Sequence, residues 1–200
     1  MKKCIVLLSL ISILVSCEKK EPLPPNTYKI NVTAPGVLNG LRSHIKIIDS
    51  RRQEIIIDTA MVINEQFTFT GKVNSASIRV LSVNGVNGQL AFVLEPGELD
   101  IELYKDSIQY SKIKGTKNND GFNEYKENFR AIIENAVKIR NERLAANKEG
   151  NTELAEEKNE IFLEMNQKQL DYPHDFIDEH PDLDISLLIL ETQIVGENQN

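Results

Sequence analysis

From Thr27 to about Ile113 apolar residues recur mostly at every second position. Ile30 and Val32 alternate with Lys29, Asn31 and Thr33, and Ile45 and Ile47 with His44 and Lys46. Gln66-Phe67-Thr68-Phe69-Thr70 and Leu99-Asp100-Ile101-Glu102-Leu103 alternate strictly. A period of two puts one set of side chains on one face of a half-buried strand. Ile55-Ile56-Ile57 and Phe92-Val93-Leu94 are continuous apolar runs, which predict strands covered on both faces. Turn chemistry separates the runs. Pro96-Gly97 suits the centre of a type II turn, and Asn84-Gly85 and Asn87-Gly88 are strong turn signals. Asn64-Glu65 is a weaker hairpin site, because Glu resists positive φ. Short strands with no helix between them predict an antiparallel β-sandwich or open barrel over residues 27–115.

The period then changes. Asn118-Asn119-Asp120-Gly121 supplies helix-start residues, and Phe122, Tyr125, Phe129, Ile132, Ala136 and Ile139 follow at spacings of three and four. That is an amphipathic helix with a narrow apolar stripe. Gly150 ends it, and Asn151 or Thr152 caps a second helix, with Glu153 and Glu156 near its positive end. Pro173 should start, kink or end a helical turn. Pro181 interrupts the chain again, before a short apolar helix from Ile185 to Ile194. The fold class is therefore mainly β plus α. A helical arm over 119–195, of two long helices and one short one, follows the β-domain, and residues 196–200 form a frayed tail.

The amino terminus has a different logic. Lys2 and Lys3 precede an uncharged apolar run from Ile5 to Val15, the pattern of a secretory signal peptide over residues 1–16. The run is too short for a membrane-spanning helix, which needs about 20 apolar residues. Leu14-Val15-Ser16-Cys17 resembles the bacterial lipoprotein box. The resemblance implies cleavage before Cys17, a diacylglyceryl thioether on it, and acylation, palmitate included, of the new amino terminus. Membrane lipid is then one partner, and the expected location is the cell envelope, with the anchor in the outer membrane facing the periplasm or, since no residue fixes the face, the outside. Residues 17–26, charged and carrying Pro22, Pro24 and Pro25, read as an extended tether.

The anchor bears on redox chemistry. The two cysteines are Cys4 and Cys17. One leaves with the signal segment and the other is consumed in the thioether. No thiolate then remains for disulfide exchange or for a zinc site, and no enzymatic activity is expected of these residues. The formal net charge is −7, and no stretch is strongly basic. Nucleic-acid binding, which needs a cationic face for phosphate, is set aside.

Other constellations are weak. Asp182-Leu183-Asp184 imitates the opening of a calcium loop but has Leu187 and Gln193 where such a loop needs Gly and Glu. His174 and His180 stand six residues apart among acids, which does not put two imidazoles on one helical face. No metal or cofactor site is assigned, and no catalytic residue. Asp58-Thr59-Ala60 and Asp106-Ser107-Ile108 resemble Asp-Ser/Thr-aliphatic O-glycosylation sites of exported proteins, with Thr59 and Ser107 as acceptors. The plainer reading is ordinary strand and turn residues.

Four segments carry a wider resemblance: Ile57-Asp58-Thr59-Ala60, Phe67-Thr68-Phe69-Thr70-Gly71-Lys72-Val73, Phe92-Val93-Leu94-Glu95-Pro96-Gly97 and Ile113-Lys114-Gly115-Thr116-Lys117-Asn118. Together they resemble an uncharacterised β-domain, domain of unknown function 4369, found at the amino terminus of many bacterial lipoproteins. Phe176-Ile177-Asp178-Glu179-His180-Pro181 resembles the end of the helical linker after it. In that family a thioredoxin-like domain of the alkyl-hydroperoxide-reductase type usually follows and carries the CxxC pair. The resemblance implies an accessory role, positioning or docking a thioredoxin-like thiol–disulfide oxidoreductase in cis or in trans. The alternative is an envelope lipoprotein that binds a peptide or glycan through the β-domain loops, with Asn84–Gln89 as the lip.

Overall fold

The computed structural model describes residues 22–49 and 51–191. Among these described residues, eight strands form two four-stranded sheets that face each other without closing into a barrel. They are β1 (Thr27–Thr33), β2 (Arg42–Ile48), β3 (Glu54–Met61), β4 (Gln66–Lys72), β5 (Ser77–Val83), β6 (Leu90–Leu94), β7 (Gly97–Glu102) and β8 (Lys112–Lys114). One sheet has the order β4-β1-β7-β8 and the other β3-β2-β5-β6. All pairs are antiparallel except β1 with β7, which run parallel with Ile30 beside Leu99. The helices are α1 (Lys117–Lys148), α2 (Thr152–Glu179) and α3 (Asp184–Ile189).

The alternating strands behave as their period requires. Ile30, Val32, Phe67, Phe69, Leu99 and Ile101 point inward from one sheet and meet Ile45, Leu81, Leu90 and Phe92 from the other. Between them lie Lys29, Asn31, Glu98 and Asp100 on the outer face, where Asn31 donates to both carboxylates and Lys29 pairs with Glu98 at 3.3 Å. The two continuous runs part company. Phe92-Val93-Leu94 is covered on both faces: Phe92 and Leu94 enter the core between the sheets, and Val93 enters a second core under the helices. Ile55, Ile56 and Ile57 are instead 43–53 % exposed. β3 is the end strand of its sheet, and a bulge between Ile45 and Lys46 of its partner leaves Ile57 unmatched. Three β-branched residues in a row secure the strand conformation, but nothing in the run itself specifies a cover.

Turns show where local preference is overridden. Asn64 and Glu65 both take positive φ, 51° and 59°, in the tight β3–β4 connection. Glu65 is held there by distant partners. Its Oε1 accepts the Gly36 N–H at 2.8 Å and its carbonyl accepts the Ala34 N–H at 2.7 Å. The weak hairpin signal is thus rescued by contacts some thirty residues away.

α1 and α2 form an antiparallel hairpin. Gly150, at φ 76°, follows the end of α1, and Asn151 Oδ1 caps α2 by accepting the Leu154 N–H at 3.1 Å. Tyr125 joins the helices at the base, stacked on Tyr172 at 5.4 Å and edge-on to Phe176 at 5.1 Å. Pro173 neither starts nor ends α2; it lies buried inside the continuous helix. Its missing N–H leaves only the Gln169 carbonyl without a helical partner. Pro181 does break the chain, after His180. α3 ends at Ile189, and residues 192–200 lie outside the described part.

Candidate functional site

A two-sheet sandwich has two open sides, each bounded by edge strands with unused main-chain groups. α1 closes the side between β6 and β8. Asn119, with no exposed surface, donates to the Val93 carbonyl at 2.8 Å and accepts from the Val93 N–H at 2.9 Å. It pairs with the edge of β6 as a neighbouring strand would. Asn123 donates to the Ile113 carbonyl of β8 at 2.8 Å, so consecutive turns of one helix hold the edges of both sheets. Lys126 Nζ donates to the Ala91 carbonyl at 3.0 Å and lies over the Phe122 ring. Burial pushes the Lys126 ammonium down to about 8; neighbouring Arg130 pushes the same way and Glu127 opposes it. Next to Asn119, Asn118 donates to Glu95 and Asp184 and accepts the Ile185 N–H, tying α3 to the same corner.

Asn119, Asn123, Lys126 and Arg130 form one line along α1, and Arg130 packs over the Tyr110 ring of a short 3-10 helix at Ile108–Tyr110. The line continues at the same spacing through Ile133, Val137, Arg140 and Leu144. On α2, Leu163 and Leu170 continue the line of Ile177, which packs into the core beneath the helices. Arg143 donates to Asn159, and Lys158 pairs with Glu142. This register sets Val137 about level with Leu163 and Ile133 with Leu170. These five apolar residues of the line are 37–60 % exposed. From Arg130 to Lys148 the hairpin runs about 27 Å at 1.5 Å per residue. The face that grips the sandwich therefore continues past Arg130 as a mainly apolar shelf, interrupted by the exposed Arg140.

The other open side, between β3 and β4, has a different closure. Tyr28 of β1 crosses to β3 and donates to Asp58 Oδ2 at 3.2 Å. Its ring lies over Gly71 of β4, where a Cβ would come within 2.6 Å of the phenol oxygen. Burial, and then Asp58, push the Tyr28 phenol up to about 12. Beyond this lock the outer edge of β3 meets no strand among the described residues.

The residues singled out in the sequence fall as follows. Cys17 lies outside the described residues. Thr59 is exposed on the outer face of β3, its Oγ1 3.0 Å from His44 Nδ1. Asp58 beside it serves the fold, accepting from Tyr28 and from the Thr59 N–H. Ser107 is half-buried ahead of the 3-10 helix, where its carbonyl accepts the Tyr110 N–H. The two acceptors are on separate surfaces. The Asn84–Gln89 lip is a tight connection: Val86 N–H bonds Val83 O, and a Cβ on Gly88 would touch Ile108 at 3.0 Å. His180 packs on Phe176 at 4.5 Å, with Nε2 3.9 Å from Glu124. Among the described residues no group of three or more His, Cys, Asp or Glu is placed to hold a metal ion, and no helix is long and apolar enough to cross a membrane.

Residues 28–122 match the model of the family described as domain of unknown function DUF4369. The β-domain is a DUF4369 domain. No curated protein and no solved structure matches the chain. The matched segment ends at Phe122, so the DUF4369 unit includes the first turn of α1 and with it Asn118 and Asn119. The asparagine pair that welds arm to sandwich thus lies inside the domain. The residues missed by sequence reasoning are these asparagines, which read as helix-start residues, and Tyr28, whose link to Asp58 leaves no mark in the strand alternation.

Proposed function

We propose that this chain is a lipid-anchored accessory protein of the cell envelope, acylated at Cys17, that docks a thioredoxin-like thiol–disulfide oxidoreductase domain in cis or in trans. The docking surface is the apolar shelf of the α1–α2 hairpin, with Ile133, Val137, Leu144, Leu163 and Leu170. The observation that carries this reading is the continuity of the shelf with the face that packs on the sandwich. A helical face evolved only for solvent would turn polar once the sandwich ends, and exposed apolar residues gathered on one face mark a binding surface. The asparagine weld supports the role mechanically. It fixes the arm's direction relative to the tether, because Glu95, Asn118 and Asp184 meet beside the Pro96–Glu98 segment that the tether residues Pro22–Asn26 adjoin.

The chemistry remains with the partner. Exchange of a disulfide needs a thiolate, and the two cysteines of this sequence are Cys4 and Cys17. The pure chain from Cys17 onward should therefore show no reduction of insulin disulfides above the dithiothreitol background. Robust turnover by that chain would refute the reading.

A further inference from the structure

One end of the sandwich is marked by the chain that enters it. β1 starts there at Thr27, beside Lys72 at the end of β4, and Pro22–Asn26 lie against Pro96–Glu98 at the start of β7. Main-chain hydrogen bonds from Ala34 to Glu65 and from Gly40 to Val62 mark the opposite end, so β2 runs towards the entry end and β3 starts from it. The β2–β3 turn therefore shares an end with the tether. It is flanked by Ile48, Ile55, Ile56 and Ile57, all about half exposed. Successive strand residues point to opposite faces, so this tip is apolar on both. Arg51 and Arg52 stand exposed at its apex. The neighbouring acids are engaged. Asp49 Oδ1 accepts the N–H groups of Arg51 and Gln53 at 2.9 and 2.7 Å, and Glu54 is held by Lys46 at 2.7 Å and by Gln89.

We propose that the β2–β3 tip rests on the lipid surface that holds the anchor, its isoleucines at the acyl-chain boundary and Arg51 and Arg52 on headgroup phosphates. The contact depends on the proposed acyl anchor at Cys17. Cys17 precedes Pro22 by five residues, a reach of at most about 18 Å. The entry end thus stays close to the bilayer, and a weak contact there becomes intramolecular, at high effective concentration. An apolar surface edged by arginine is the pattern of interfacial binding, in which aliphatic side chains reach the acyl boundary and guanidinium groups pair with anionic headgroups. A folded partner covers one face of a strand or its edge, whereas a fluid surface receives both faces. Headgroup water serves the unpaired main-chain groups of the bulged edge. α1 runs from Asn119 beside Val93 to Arg130 over Tyr110, away from this end, so the shelf stays clear of lipid.

The sequence has no Trp, so Ile56→Trp at the tip and Val137→Trp on the shelf each give a single reporter. The chain from Cys17 onward is coupled through its one thiol to a maleimide lipid in vesicles of phosphatidylethanolamine and phosphatidylglycerol, and circular dichroism checks that each variant folds. Coupling supplies the anchor whatever modification the cell makes, so a failure here is a failure of the tip; acylation is read separately, from the intact mass of the native protein. Emission of the Ile56→Trp reporter should shift to the blue and be quenched by brominated lipid, and that of Val137→Trp should not. Arg51→Glu with Arg52→Glu should at least halve the quenching, as should phosphatidylcholine in place of phosphatidylglycerol. In the chain without a reporter, amides of residues 54–57 should exchange severalfold more slowly on vesicles than in the soluble Cys17→Ser form. Equal quenching at positions 56 and 137, or exchange at 54–57 unchanged by coupling, would overturn the proposal. So would protection that grows with protein concentration in the absence of vesicles, the mark of a second copy on this edge.

Discussion

Replacing Asn119 with Leu should separate the arm from the sandwich. The side chain is fully enclosed and makes two hydrogen bonds to Val93, at 2.8 and 2.9 Å, besides one to Thr116 Oγ1. Leu has similar bulk but leaves the Val93 N–H and C=O buried and unpartnered. Each such group costs about 1–3 kcal/mol, so the pair costs roughly 2–6 kcal/mol. Domains of this kind are stable by only about 5–15 kcal/mol, so the loss is a large fraction of the total. Guanidinium unfolding followed by tyrosine fluorescence and by far-ultraviolet circular dichroism is the assay. The parent should give one transition by both probes. Asn119→Leu should shift the midpoint down and expose the amides of β6 to exchange before those of β1. Asn119→Asp should fall between the two, since it keeps the acceptor for Val93 N–H but loses the donor to Val93 O. A cost below about 1 kcal/mol for Asn119→Leu would show that β6 does not depend on this side chain for its edge bonds.

Further outcomes follow from the same geometry. Gly71→Ala should cost about 1–3 kcal/mol by overpacking against the Tyr28 ring, measured by urea unfolding, and trimming the ring with Tyr28→Leu should recover part of that cost. Asn151→Ala should cost about 1 kcal/mol through the lost cap, and hydrogen exchange should locate the loss at the hairpin tip. Lys126 gives a pH signature. Its folded pKa, about 8, lies below the ordinary lysine value of 10.5. Between these pH values the unfolded chain binds more protons, so stability should rise with pH from about 8 towards 10, and Lys126→Met should flatten that rise. Above pH 10 the opposite trend should set in. Tyr28 and Tyr125 are pushed up to about 12 by burial, so ionisation favours the unfolded chain.

The strands could be read from the sequence because sheets with one wet face impose a period of two. β1, β4 and β7 bury the alternate residues that their patterns nominate. The helices were legible through Gly150 and Asn151, whose cap chemistry is local. Coverage was not. Ile55-Ile56-Ile57 and Phe92-Val93-Leu94 look alike as strings, yet only the second lies where a helix crosses the sheet. Which strand ends a sheet is set by pairings far away in sequence. Glu65 fails the local rule for the same reason, being held at positive φ by Gly36 and Ala34. Asn119 carries no periodic signal, because its role depends on what β6 lacks.

Photo-crosslinking from position 137 in the intact cell envelope asks whether the α1–α2 shelf receives a thioredoxin-like domain. A docked domain should give a covalent adduct with a polypeptide, or a downstream domain of the same polypeptide, that contains a CxxC pair. The adduct should disappear when Leu163 is replaced by Glu. Adducts with lipid alone, or with proteins that lack such a pair, would contradict it.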